Sequence, residues 1–278
     1  MVEITATLVK ELRDETGVGM MECKRALVDA GGDKAKAFQL LRERGVAVAA
    51  KKSAREVKSG LIAARTFQNG RMGAMVEVAC ETDFVARNDL FQSFVAGMVD
   101  RAAQCEGELA PAVSDEVNAA IQKIGENIIV RRNARYVRQG EGLVGTYVHL
   151  GSKLGVMIEL GATKPETAAQ PAVQELVRDL ALHLAANRPP YLDRSAIPAD
   201  VIENERGIFA KQVEGKPANI IEKIVAGKLE KFYATVCFVE QPFVKDPDQT
   251  VQARIDTTSK ACGDALTARR FVIFQLGQ

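Results

Sequence analysis

Tryptophan is absent from the 278 residues, histidine occurs twice, and proline only nine times. Two histidines, His149 and His183, leave little from which to build a zinc site. The five cysteines (23, 80, 105, 237 and 262) are odd in number and include no Cys-x-x-Cys pair, which argues against a disulfide framework. No stretch approaches the roughly 20 apolar residues needed to span a bilayer. The opening Met1-Val-Glu-Ile-Thr-Ala lacks the basic and apolar regions of a signal peptide. An excess of charge of either sign is missing too: 37 Lys plus Arg face 36 Asp plus Glu, a net of +1. Proteins that live on nucleic-acid phosphates usually carry a basic surplus. There is no Gly-x-x-x-x-Gly-Lys-Ser/Thr phosphate loop, no Gly-x-Gly-x-x-Gly after a strand and no Gly-x-Ser-x-Gly elbow. These absences predict a soluble, cytoplasmic protein that is not an enzyme of covalent chemistry. Neither a cofactor nor a metal is expected, and neither a membrane nor direct nucleic-acid contact.

What is present is ordinary globular material, 47% hydrophobic and 26% charged, too apolar and too balanced in charge for disorder. Its pattern predicts an α+β fold. Residues 1–45 read as three short helices. Ile4, Leu8 and Leu12 share a stripe that stops at Thr16-Gly17. Met20, Cys23 and Leu27 form the next, ending at Gly31-Gly32. Asp33 is placed to cap a third, with Phe38 and Leu41 facing inward. Residues 46–60 read as a linker of charge +3 with a helical part, or as a nucleic-acid arm using Lys51, Lys52 and Arg55 together with Arg131-Arg132.

The following chain contains an internal repeat. Leu61–Phe67, an Asn69-Gly70 turn and Gly73–Cys80 predict a β-hairpin, followed by a helix from about Asp89 whose apolar face carries Leu90, Phe91, Phe94, Val95, Met98 and Ala102. At a constant offset of 82 residues, Leu143–His149, a turn, Val156–Leu160 and a helix with Val173, Val177 and Leu180 repeat the pattern. The core is therefore divided into an N-subdomain at 61–140 and a C-subdomain at 141–278. Within the latter, an antiparallel helical hairpin is inserted at about 198–232, its helices joined by Glu214-Gly-Lys-Pro217. A strand at Ala234–Val239, a loop from Gln241 to Pro247, a short helix and a strand at Arg270–Leu276 close the reading.

His183 falls within the apolar period of its helix and reads as a core or boundary residue. The segment Glu81–Asn88 stands out, because it puts Phe84 beside Asp83 where the repeat has only polar and small residues. Two readings stay open on spacing alone. Thr82 or Asp83 caps backbone N–H groups and Phe84 staples onto Leu90 or Phe91, or Phe84 projects as a partner-binding hot spot.

Four stretches together resemble the elongation factor Ts family, the bacterial-type guanine nucleotide exchange factors for elongation factor Tu. They are Leu12–Leu27 (Leu-Arg-Asp-Glu-Thr-Gly-Val-Gly-Met-Met-Glu-Cys-Lys-Arg-Ala-Leu), Thr82-Asp-Phe-Val-Ala86, Ile124-Gly-Glu-Asn-Ile128 and Gln241-Pro-Phe-Val244. The resemblance implies a three-helix ubiquitin-associated-like domain at 1–45, a core of two related subdomains and a protruding helical hairpin. It implies that Thr82, Asp83, Phe84 and Val85 disturb the Mg2+ site of the partner. Further contacts would fall on Arg13, Val18, Gly19, Met20, Met21 and Lys24, on Asn127, Ile128 and His149, and on Phe243 and Val244. Some members carry a C-terminal helical module, and the sequence ending at Gln278 gives no contact to assign to it. Lys245 stands where an apolar residue would have extended the contact. The resemblance leaves open a homodimer or a two-to-two complex. The alternative is a ubiquitin-associated-like binding module that uses Met20-Met21 for another partner.

Overall fold

The three N-terminal apolar stripes form helices. A computed structural model describes residues 4–215 and 217–278. Helix α1 (Ala6–Thr16) begins where the Thr5 hydroxyl accepts the Leu8 N–H and ends at the left-handed Gly17. Helices α2 (Met20–Asp29) and α3 (Lys34–Lys52) follow, the latter capped by Asp33. Val9, Leu12, Cys23, Leu27, Ala37 and Leu41 close a small core. Phe38, expected inside, is exposed: the inward pair on α3 is Ala37 and Leu41, one i,i+4 step, and Phe38 lies about 100° around the axis. Met20 is likewise exposed.

The third helix does not end at residue 45. It runs seven residues into the stretch read as a linker with a helical part, and Gly45 within it is a point of close contact. A Cβ there would lie 2.9 Å from Gln122 Oε1 on a neighbouring helix. Ala49, one turn on, is buried in the next core. One continuous helix thus serves two cores.

The remaining chain forms two similar halves. The first contains β1 (Ser59–Phe67), β2 (Met72–Cys80), the one-turn α4 (Asp83–Ala86), α5 (Asp89–Gln104), α6 (Leu109–Ala112), α7 (Ser114–Ile124) and β3 (Ile128–Val137). The second contains β4 (Glu141–Val148), β5 (Leu154–Ala162), α8 (Pro171–Asn187), α9 (Ala199–Lys211), α10 (Ala218–Val236), β6 (Pro242–Phe243), β7 (Asp246–Thr250), α11 (Val251–Cys262) and β8 (Thr267–Gln275). Each half has an antiparallel three-stranded sheet, β1-β2-β3 or β4-β5-β8. The 82-residue offset holds in register: Leu61 pairs with Val78 and Leu143 with Leu160. Even the bulge recurs, after Glu77 in β2 and after Glu159 in β5. Strands β2 and β5 are buried along nearly their whole lengths, covered by α5 or α8 on one face and by the opposite sheet on the other. Ile62, Met75, Val144, Met157 and Phe274 fill the space between the sheets.

Polar groups tie the halves reciprocally. Glu77, fully buried, pairs with Arg132 (2.7 Å) and accepts the Gly277 N–H from the other half (3.0 Å). Glu159, also fully buried, pairs with Arg270 (2.7 Å) and accepts the Gln139 N–H (2.6 Å). The Arg132 guanidinium lies 4.3 Å over Phe274, and that of Arg270 lies 4.1 Å over Tyr136. Each arginine therefore satisfies its own sheet's carboxylate and stacks on the other sheet's ring.

Helices α9 and α10 pack through Phe209, Val213, Ile221, Val225 and Leu229. The expected joint Glu214–Pro217 includes Lys216, which lies outside the described residues. The strand expected at Ala234–Val239 is not one. Helix α10 continues through Val236, and Phe238–Glu240 forms a 3-10 turn. The β-branched and aromatic residues there suggested a strand, but Cys237 and Phe238 are fully buried in packing, and only an isolated bridge from Cys237 to Tyr191 remains of the pairing. Among the described residues no helix is long and apolar enough to cross a membrane.

Candidate functional site

Phe84 is 82% exposed, so it staples onto neither Leu90 nor Phe91, and Leu90 is itself exposed. The turn that carries it is nonetheless fixed. Thr82 caps α4, its hydroxyl accepting the Val85 N–H at 3.3 Å. The same hydroxyl donates to Glu126 (2.6 Å), and the Thr82 N–H donates to the other oxygen of that carboxylate (3.0 Å). Val85 packs on the core and Ala86 is buried, while Asp83 points outward to Arg87 at 2.9 Å. Beneath the turn the Cys80 Sγ donates to the Thr82 carbonyl, and burial pushes this thiol's pKa up to about 11. Glu81 accepts the Asn127 N–H (2.6 Å), and the Asn127 amide donates to the Arg55 carbonyl (2.9 Å). The stretches 81–86 and 124–128, far apart in sequence, thus form one knot with the chain that follows α3.

Across an open cleft of about 450 Å3 lies the β4–β5 turn. Asp83, Arg87 and Gln92 line one side, and Gly151, Ser152 and Lys153 the other. The turn is pinned to β1: the Ser152 carbonyl accepts the Ile62 N–H (2.7 Å), and Lys153 Nζ donates to the Gly60 carbonyl (3.1 Å). His149 is exposed, its Nδ1 within 3.2 Å of the Tyr147 hydroxyl. Beside it Leu150 is 93% exposed.

The loop after α10 is held from α8. His183 is fully buried, and its Nδ1 accepts the Val244 N–H (3.2 Å), which places its proton on Nε2, facing Gln241 Oε1 at 2.9 Å. Its ring stacks on Phe243, centroids 6.0 Å apart. One turn earlier on α8, buried Asp179 pairs with Lys245 at 2.6 Å. Desolvation lowers the His183 pKa below its usual value, against a smaller opposing effect of the Gln241 hydrogen bond. Protonation would set a second N–H against that of Val244. The folded state therefore binds fewer protons than the unfolded chain near pH 6.5, so stability is full above that pH and is lost as pH falls below it. We expect urea-unfolding free energy to decline from pH 7.5 to 5.5, by up to about 1.4 kcal/mol per pH unit from this group. A His183→Gln variant should flatten the slope, and an unchanged slope would remove His183 as its cause.

On the N-terminal helices, Arg13, Gly19, Met20, Met21 and Lys24 are exposed, whereas Val18 is buried. The basic residues considered for a nucleic-acid arm are mostly engaged internally. Lys52 donates to the Gly125 carbonyl, Arg55 pairs with Glu81, Arg131 donates to the Val57 carbonyl, and Arg132 is bound to Glu77.

A family model described as Elongation factor TS matches residues 81–278. An Elongation factor Ts of Symbiobacterium thermophilum is 45% identical over 284 residues, covering 100% of this chain and 93% of the relative. One of Trichlorobacter lovleyi is 42% identical, covering 99% of this chain and 93% of the relative. One of Prosthecochloris aestuarii is 41% identical, covering all of both. The chain belongs to the elongation factor Ts family.

Placed on the structure, the positions that the elongation factor Ts resemblance implies differ in exposure. Arg13, Gly19, Met20, Met21, Lys24, Asp83, Phe84, His149 and Val244 reach the surface. Thr82 and Val85 are half-buried, and Val18, Asn127, Ile128 and Phe243 are buried in the chain by itself. Asn127 spends its amide on the chain after α3, Ile128 and Phe243 pack in the two half-cores, and Val18 closes the N-terminal core. Two residues escaped the motif reading. Glu126 sits inside a quoted motif, but nothing in the spacing tied it to Thr82. Leu150 falls in a turn, where an apolar side chain following a strand is the only signal.

Proposed function

We propose that this chain is a nucleotide exchange factor that binds GDP-bound elongation factor Tu and promotes GDP release, by setting Phe84 and Asp83 against the segment that holds the partner's Mg2+ and phosphates. The observation that carries this reading is Phe84 itself, an aromatic 82% exposed on a turn whose backbone is capped and tied down. An exposed aromatic that serves no core is retained at the cost of its hydration. Its burial in a partner contributes about 1.5–3 kcal/mol. Exchange needs no covalent chemistry from this chain. It needs stronger binding to the nucleotide-free partner than to the GDP complex, and each 1.4 kcal/mol of that difference weakens nucleotide tenfold. By reciprocity, GDP weakens the factor by the same amount. The exposed N-terminal residues Met20 and Met21 would dock on the partner while His149 and Val244 hold the core in place.

The test is stopped-flow release of fluorescent GDP from elongation factor Tu. The parent is expected to accelerate release strongly. Phe84→Ala is expected to lose at least about tenfold of that acceleration, the lower bound of its burial energy. Its melting temperature should stay unchanged. Full acceleration by Phe84→Ala would exclude the wedge, and none by the parent would exclude exchange.

A further inference from the structure

The two halves grip the chain between their central strand and helix with equivalent carboxylates. In the first half, α7 ends at left-handed Gly125, and the next residue, Glu126, accepts from the Thr82 N–H and hydroxyl. In the second, α11 ends at left-handed Gly263, and the next residue, Asp264, accepts from the Lys164 N–H (3.0 Å), the Thr163 N–H (3.1 Å) and hydroxyl, and the Thr167 hydroxyl (2.6 Å). Lys164 lies 82 residues after Thr82, the offset that relates the two hairpins. The hydroxyls of Thr163 and Thr167 hold the Asp264 carboxyl well below the usual carboxylate range.

What the grips hold differs. The second holds a turn, Pro165–Ala169, with no aromatic. The first holds α4, and through it the most exposed aromatic among the described residues. One hydroxyl makes the connection, since that of Thr82 donates to Glu126 while it accepts the N–H of Val85, next to Phe84. With its ring 82% exposed, Phe84 has little packing to fix its direction, so where it points is set chiefly by its backbone.

Resting on the reading of Phe84 as the wedge, we propose that Glu126, acting through the Thr82 hydroxyl, is a positioning residue for nucleotide exchange that fixes the direction in which Phe84 meets the partner. The partner's affinity for the rest of the surface does not depend on it. Loss of the link lets α4 reorient, and the fraction of encounters with a correctly aimed ring falls. Misplacements of about 1 Å cost up to about a hundredfold where geometry controls a rate.

The experiment measures GDP release from elongation factor Tu at increasing concentrations of the full chain, which separates the maximal rate from the half-saturating concentration. Thr82→Val, which keeps the shape and loses the hydroxyl, is expected to lower the maximal rate about tenfold, within the range that misplacement allows. The half-saturating concentration should move less than about twofold, because the contacts away from α4 are untouched. Thr82→Ser should restore the rate, and Glu126→Gln, which keeps an acceptor, should fall between. Asp264→Asn should lower the melting temperature while leaving the maximal rate as in the parent. Circular dichroism at the assay temperature verifies that each variant is folded, and Glu126→Gln carries the test if Thr82→Val is not. A parental maximal rate in a folded Thr82→Val or Glu126→Gln overturns the proposal, as does failure of serine to rescue. Phe84→Ala, run alongside, separates this from failure of the wedge itself: full exchange without the ring removes the underlying reading whatever the Thr82 variants do.

Discussion

Glu159→Ala is expected to destabilise the core by about 3 kcal/mol, at the lower end of what removing one partner from a buried ion pair costs. The carboxylate is fully buried, and it answers Arg270, Arg269 and the Gln139 N–H together. Truncation leaves the Gln139 N–H without its acceptor and takes a carboxylate from two guanidinium groups, of which Arg269 keeps the Gln139 carbonyl and Arg270 the Val137 carbonyl. The lower end applies because both arginines keep part of their surface in water and Arg270 retains its stacking on Tyr136. In calorimetry this corresponds to a fall in melting temperature on the order of 10 °C. Glu77→Ala should behave alike, because its environment is the same arrangement in the other half. A fall below about 2 °C, less than 1 kcal/mol, would mean that the arginines find water or new partners.

A still more local change is expected to do as much damage. Gly142→Ala puts a Cβ 2.1 Å from the Leu160 carbonyl oxygen and 2.8 Å from the Gly161 Cα, at φ +127°. Its counterpart Gly60→Ala meets the Val78 carbonyl oxygen at 2.3 Å, at φ +146°. Neither obstacle is a side chain that can rotate away, so the strand pair has to part. Backbone strain and overpacking each cost about 1–3 kcal/mol, giving about 3 kcal/mol or more for either substitution. Gly207→Ala, in a helix where an added Cβ meets nothing within 4 Å, is expected to stabilise by about 0.5–1 kcal/mol. Denaturant midpoints of the three variants check the ranking, and a Gly142→Ala midpoint equal to the parent's would refute it.

Periodicity made most of the architecture legible, and particular residues explain where it failed. The hairpins and their helices were readable because alternation, an Asn69-Gly70 turn and 3.6-residue spacing all agree, and because the same pattern appears twice 82 residues apart. The length of α3 was less legible, because a basic stretch with a helical part does not show in sequence whether its helix joins the preceding one. Ala234–Val239 misled because its β-branched and aromatic residues resemble a strand, whereas Cys237 and Phe238 are buried by packing at a helix end. At the candidate site, the identity of the Glu81–Asn88 segment was visible as an odd aromatic beside an acid. Its geometry was not, since the turn that carries Phe84 is tied at Thr82 to a carboxylate 44 residues further along the chain. The burial of Asn127 and Phe243 was equally hidden. Motif membership records that a position matters, without saying whether it touches a partner or supports what does.

The reciprocal Glu77 and Glu159 arrangement also bears on how the chain reaches this structure. The Gly277 N–H that completes Glu77 lies 200 positions along the chain, and the Arg132 link to the Gln275 carbonyl spans 143. Such contacts are met only after large loops have closed, and chains dominated by distant pairings fold slowly for that reason. A hairpin and helix from one half can form locally, yet the first half's buried acid lacks its last donor until the second half arrives. Acquisition of the native core is therefore a search for one mutual fit between halves, and its rate is set by chain topology more than by the strength of either hairpin.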